Sequence, residues 1–172
     1  MSDTWQSHTI VLLLKLFYDV RNDADALFNL YRVDLKNAFD VQLLEVAARR
    51  AGNNYSPVVT GLAKAVEQYL PPLADWVRVK AEGSALFDPK KGGSYEIFEQ
   101  RPLDPRILLY SAQDVSILFL LETTLEKQIR EKNGSVKNWR QRVSKASTKR
   151  AAEAHSVTYE AKGRHRIRAP KF

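Results

Sequence analysis

Cysteine is missing from the 172 residues, so disulfides are excluded and nothing argues for secretion. Long apolar runs are missing too. The run at residues 10–14 ends at Lys15, far short of the roughly 20 residues that cross a bilayer, and no signal-peptide pattern precedes it. The expectation is an intracellular soluble protein without membrane contact, with nothing to separate nucleus from cytoplasm. The familiar catalytic signatures are absent as well: no phosphate-binding P-loop, no Gly-x-Ser-x-Gly, no His-Glu-x-x-His and no Gly-x-Gly-x-x-Gly. Histidine is sparse, and His8, His155 and His165 lack the spacing of metal ligands. Internal repeats are absent, and compositional bias is confined to the C-terminal end.

What is present is globular in composition, with 44% hydrophobic and 10% aromatic residues, enough for one domain with a buried core. The charge is divided. Residues 1–132 hold 16 Lys and Arg against 18 Asp and Glu, whereas residues 133–172 hold 11 against 2, which accounts for the net +7. The sequence therefore divides into a slightly acidic body, 1–132, and a basic C-terminal extension, 133–172. Such an extension suits contact with polyanions or a solvated tail. Within it Arg140, Arg142, Lys145, Lys149 and Arg150 are the candidate nucleic-acid contacts. Trp139 is either a base-stacking residue or an anchor pinning the extension to the body.

Hydrophobic patterning predicts an α/β arrangement. Residues 10–18 read as a buried strand. A helix follows, capped by Asn22 or Asp23, with Ala24, Leu27, Phe28 and Tyr31 at helical spacing. Val33, Leu35 and Phe39 suggest a short second strand. Asp40 is the expected N-cap of a helix over 41–50, with Gly52 just past its end. A further helix stops at Pro71 and Pro72. Residues 73–105 look irregular, with one helical turn near Trp76 and Val79. The longest helical stretch follows, divisible near Tyr110, with an expected apolar face of Ile107, Leu108, Ala112, Val115, Leu118, Phe119 and residues 121–125.

The chemistry available is that of carboxylates. Asp19, Asp23 and Asp25 cluster where the first strand turns into its helix, at a strand end where sites form in α/β sheets. Tyr110 and Asp114 share a helix face at i and i+4. By spacing alone that pair fits a helix surface as well as part of a metal site.

Four stretches in order, "KLFYDVRNDADALF", "FDVQLLE", "RPL" and "YSAQDVSIL", resemble the ribonuclease D-like 3′-5′ exonuclease domain. This is the DEDD superfamily, in the subtype with Tyr in its third motif. "KGGSYEIFEQRPL" and "GRHRIRAP" resemble a branch of it common in fungi. The resemblance implies a ribonuclease H-like fold. It assigns Asp23, as a catalytic metal ligand, to the second motif, Asp114 to the catalytic metal-binding position of the third, Tyr110 to orienting the attacking water, and Asp40 to a supporting role. It implies Mg²⁺ or Mn²⁺, and RNA or DNA with a single-stranded 3′ end as substrate. The family's first motif, Asp-x-Glu, has no counterpart here: the 18 residues before Asp19 hold one acid, Asp3. The expectation is an N-terminally truncated version of the fold, with helices flanking an incomplete mixed sheet.

The family reaction is two-metal phosphodiester hydrolysis, and two of its four carboxylates are matched. One carboxylate per ion holds Mg²⁺ poorly, which predicts weak or no hydrolysis by this chain alone. Three readings follow: an exonuclease that has lost its N-terminal part, a catalytically inactive nucleic-acid binder, or a protein-interaction subunit whose partner covers the exposed sheet edge.

Overall fold

The computed structural model describes residues 13–171. The architecture is mixed α/β and dominated by helices. Strands β1 (Lys15–Phe17) and β2 (Ala38–Asp40) pair in parallel, with Leu16 opposite Phe39 and Phe17 opposite Asp40. Parallel strands need a crossover connection, and helix α1 (Arg21–Tyr31) supplies it. Residues 10–12 of the expected first strand lie outside the described residues.

Helix α1 begins one residue before the expected caps, Asn22 and Asp23. Its N-cap is Val20, which provides no side-chain acceptor. The acceptor comes from β2: the carboxylate of Asp40 takes the amides of Asp19 (2.9 Å) and Val20 (3.2 Å). Asp19 adopts the left-handed region (φ 64°) to turn the chain from strand to helix, a conformation that Asp tolerates better than most residues.

Asp40 also caps its own helix, α2 (Val41–Ala51), by accepting from the Gln42 amide at 3.0 Å. Helix α2 is the centre of the molecule and is buried along nearly its whole length. Leu43, Leu44, Ala47 and Ala48 pack against Phe39 of the sheet and against Leu118, Leu121, Leu125 and Ile129. Burying each such large aliphatic side chain contributes roughly 1.5–3 kcal/mol. Buried polar groups on α2 are mostly bonded, with Glu45 Oε2 the exception. Glu45, fully buried, accepts from Arg49 Nε (2.7 Å) and Tyr69 Oη (3.0 Å), and Gln42 Nε2 reaches the Thr60 carbonyl (3.1 Å).

Helix α3 (Leu62–Tyr69) ends before the two prolines as expected. The next segment departs from expectation: α4 is a continuous helix, Ala74–Phe87. Gly83 hides it in the sequence, because glycine weakens helices by about 1 kcal/mol relative to alanine. Tertiary packing overrides that weakness, because the Tyr110 side chain lies directly on Gly83. A Cβ there would sit 2.5 Å from Tyr110 Cβ.

Tyr110 belongs to α5 (Pro105–Asn133), one unbroken helix of 29 residues rather than two. Asp104 caps it through the Arg106 amide (2.8 Å), and Gly134, at φ 71°, ends it. Its buried edge is Ile107, Ile117, Leu118, Leu121, Leu125 and Ile129. That edge is rotated from the expected face, for Leu108, Val115 and Phe119 are exposed. The stretch is apolar on several sides, so periodicity alone does not choose the edge that meets α2. By length and composition α5 could also cross a membrane, although here its inner edge is core.

Helix α6 (Lys137–Glu153) lies within the basic extension and packs on β2, α2 and α1. Val143 and Ser147 are fully buried. Ser147 Oγ accepts the Asp40 amide (2.9 Å) and donates to the Val143 carbonyl (2.8 Å). Arg150, 6% exposed, donates through Nη1 to Asp40 Oδ2 (2.8 Å) and Gln42 Oε1 (2.9 Å). Removing one member of a buried ion pair strands the other charge. Asp40→Ala is therefore expected to lower the unfolding free energy by about 3–5 kcal/mol in urea denaturation. A loss below about 1 kcal/mol would mean that the guanidinium finds water instead.

Gly83→Ala sets helix propensity against the Tyr110 contact. A gain of about 1 kcal/mol is opposed by overpacking of about 1–3 kcal/mol. The expected outcome is a lower melting temperature. A higher one would show that α4 and α5 separate without cost.

Candidate functional site

Three places in the fold hold the residues of interest. The first is the contact between α4 and α5. Tyr110 and Asp114 lie one turn apart on α5, and both meet Lys80 of α4. The Lys80 ammonium donates to Tyr110 Oη (2.9 Å) and forms a hydrogen-bonded ion pair with Asp114 Oδ2. Its Nζ lies 4.3 Å from the Tyr110 ring centroid and 5.6 Å from that of Trp76, close enough for cation–π attraction. Gln113 Nε2 fastens α5 to the Trp76 carbonyl (3.1 Å), and Phe87 meets the Tyr110 ring edge-on at 5.3 Å. The other Asp114 oxygen, Oδ1, is buried with no hydrogen-bond partner.

The second place is the start of α1. Asp23 is exposed in its first turn. Desolvation, and after it the negative charges of Asp19 and Asp40, hold the Asp23 carboxyl above the ordinary carboxylate value. Asp19 shows the opposite result. Burial works to raise its carboxyl, but its hydrogen bond to Arg21 and the charges of Arg21, Arg150 and Arg166 outweigh that and lower it. The Arg21 guanidinium grips Asp19 through Nε (2.6 Å) and Nη2 (2.8 Å), the bidentate geometry that makes such pairs strong. Asp40 is fully buried, with both oxygens occupied by backbone amides and Arg150.

Asp23 and Asp114 thus have different electrostatic company: Asp19 and Asp40 for one, Lys80 for the other. Among the described residues no group of three or more His, Asp or Glu side chains is placed to hold a metal ion. The free Asp114 Oδ1 is a single acceptor, and the ammonium beside it opposes a divalent cation. Unit charges 4 Å apart interact by about 4 kcal/mol in surface-like surroundings, and a divalent ion doubles that. Among the described residues the donors at this corner do not fit a pair of metal ions.

The third place is the C-terminal basic region, where the five candidate cations divide. Arg150 is interior, bound to Asp40 and Gln42. Arg140 is held by Glu122 (2.9 Å) and Glu126, with its guanidinium 4.5 Å from the Phe39 ring. Trp139 packs against the core, so it anchors α6 to the body. Arg142, Lys145 and Lys149 are exposed and border a cavity of about 850 Å³.

Sequence reasoning passed over Lys80, Gly83, Arg21, Arg168 and Lys171. For the first two a signal existed: Trp76, Lys80, Gly83 and Phe87 recur at i, i+4, i+7 and i+11, one face of a helix. The others act through contacts remote in sequence.

No curated protein and no solved structure matches the chain. A family model for 3′-5′ exonucleases matches residues 8–130, a span that runs from before β1 into α5 and includes Asp23, Asp40, Tyr110 and Asp114. The parallel β1–α1–β2 unit, α2 behind it, and the long helix carrying Tyr110 and Asp114 all fall within that match, and the chain belongs to the 3′-5′ exonuclease family.

Proposed function

We propose that this chain is a nucleic-acid-binding member of the 3′-5′ exonuclease family whose third-motif corner is held by a lysine instead of a metal pair. Exonucleases of this family generally use divalent metal ions and act on nucleic acid. The finer placement, in the ribonuclease D-like subtype, rests on the ordered motifs and on Tyr110 and Asp114 facing one partner from one side of α5.

The observation that carries the reading is the Lys80 ammonium bonded to both Tyr110 Oη and Asp114 Oδ2. Two-metal hydrolysis needs carboxylates that gather two dications around the scissile phosphate. In this chain Asp114 has an organic cation as its partner, and Asp23, on α1, stands in the field of Asp19 and Asp40. Lys80 neutralises the Asp114 charge and fixes the Tyr110 hydroxyl, which removes the need for an ion at that corner. A half-buried carboxylate without a cation would be costly, and Lys80 meets that cost.

The reading predicts salt-sensitive binding of a single strand and little metal-dependent cleavage. A 3′-labelled RNA or DNA strand incubated with Mg²⁺ or Mn²⁺ is expected to keep its length while its anisotropy rises with added protein. Robust nucleotide release that Asp114→Asn abolishes would overturn the reading.

A further inference from the structure

We propose that the cavity between α6 and the C-terminal segment 164–171 is a binding site for the phosphodiester backbone of a single-stranded nucleic acid. The proposal rests on the nucleic-acid-binding function proposed above and gives the strand a place whose exposed cations all lie outside the residues that match the family.

The cavity has two walls. One is the outer face of α6, where Arg142, Lys145 and Lys149 stand at i, i+3 and i+7 and so project in a row. The other is the C-terminal segment, which returns across the molecule as a strap. The Val59 amide donates to the Ile167 carbonyl (2.8 Å), and the Ala169 amide to the Pro57 carbonyl (2.8 Å). These bonds, with the bridge between Val58 and Arg168, fix the strap at the residues that carry Arg168 and Lys171 to the cavity. Further back, Arg21 Nη2 holds the Arg166 carbonyl at 3.0 Å, and Arg166 reaches Asn22 and Asp19.

The charge is strongly one-sided. Arg142, Lys145, Lys149, Arg168 and Lys171 are exposed around the cavity, and Glu153 is the sole carboxylate in its lining. Arg21 and Arg150, deeper in, are already paired with Asp19 and Asp40. Lys145, Lys149, Arg168 and Lys171 have no carboxylate partner among the described residues. Five cations around one half-open cavity repel one another, and a ligand carrying several spaced negative charges relieves that repulsion. A phosphodiester strand presents such charges at regular intervals. The accessible lining between the cations is apolar, from Ala146, Ala169 and Pro170 above the buried Leu43, which suits sugar or base faces rather than further ionic groups. An acidic peptide offers carboxylates but no flat apolar faces to match that floor.

The test is fluorescence anisotropy of labelled single-stranded RNA and DNA oligonucleotides, titrated with the full chain at several salt concentrations. Lys145→Gln/Lys149→Gln is compared with Lys64→Gln/Lys91→Gln, which removes equal charge from a different cavity lined by α3 and α4. All four lysines are exposed, and matching thermal melts would verify that the variants fold. The α6 pair is expected to weaken binding about tenfold and to lower the salt slope by about 1.4, at about 0.7 for each phosphate no longer neutralised. The control pair is expected to change neither by more than a factor of about two. If the wild type binds and both pairs weaken it equally, or the α6 pair has no effect, the cavity is wrong while the nucleic-acid-binding function stands. If the wild type binds neither oligonucleotide, that function itself fails. Binding of polyglutamate with no oligonucleotide binding would identify an acidic protein as the ligand and overturn the proposal.

Discussion

A single carboxylate, that of Asp40, joins four parts of this molecule. It accepts the amides that lead into α1, caps α2, and forms a buried ion pair with Arg150 of α6, while its own amide, at the end of β2, is bound by Ser147. A fully buried carboxylate is tolerated only when its acceptors are filled and a cation is close. That condition has a structural consequence. Helix α6 cannot leave the body without stranding Arg150 or Asp40, so the basic C-terminal helix is fixed in position and orientation. Next to it, Asp19 holds Arg21, and Arg21 holds the strap through the Arg166 carbonyl. Both walls of the basic cavity are therefore fastened to the same cluster of acids. The surface cations are arranged by interior ones.

The α4–α5 contact follows a parallel logic with a different outcome. Gly83 lets Tyr110 approach the α4 backbone, which brings Lys80 to Asp114. The Asp114 carboxylate, which the motif resemblance assigns to a metal ion, is here paired with an ammonium from inside the chain. An ammonium satisfies charge and fixes the tyrosine hydroxyl, but it supplies neither a Lewis acid nor a bound water of lowered pKa. On the function proposed above, family membership and catalytic capacity separate at one side chain, and the strand is assigned to a different part of the surface.

Much of this is legible in the residues, for local reasons. Asp40 before an apolar run, with Gly52 beyond it, marks α2, and the structure shows that helix with Asp40 capping it. Phe39 marks β2, although Val33 and Leu35, expected in the same strand, lie outside it, and the paired prolines end α3. The failures have a common cause, which is that tertiary contacts override local signals. The start of α1 shifts to Arg21 because its acceptor comes from Asp40, 20 residues beyond Val20 in sequence. Helix α4 is obscured by Gly83, whose weakness is compensated by Tyr110. The buried edge of α5 cannot be chosen from the sequence because apolar residues occur on several of its sides. Tyr110 and Asp114 can be named from the motif, but their partner cannot, since Lys80 is 34 residues from Asp114 and carries no motif of its own. Arg150 looks like a surface cation because charge is legible in sequence and burial is not.

The central claim is that a lysine, not a metal, answers the charge of Asp114. It is tested most directly by titrating the protein with Mn²⁺ while following paramagnetic broadening of the Tyr110 and Asp114 resonances, for the wild type and for Lys80→Met. The expected result is no saturable broadening near Asp114 in the wild type, and at most weak broadening once the ammonium is removed. Stoichiometric, saturable Mn²⁺ binding by the wild type that Asp114→Asn abolishes would contradict it.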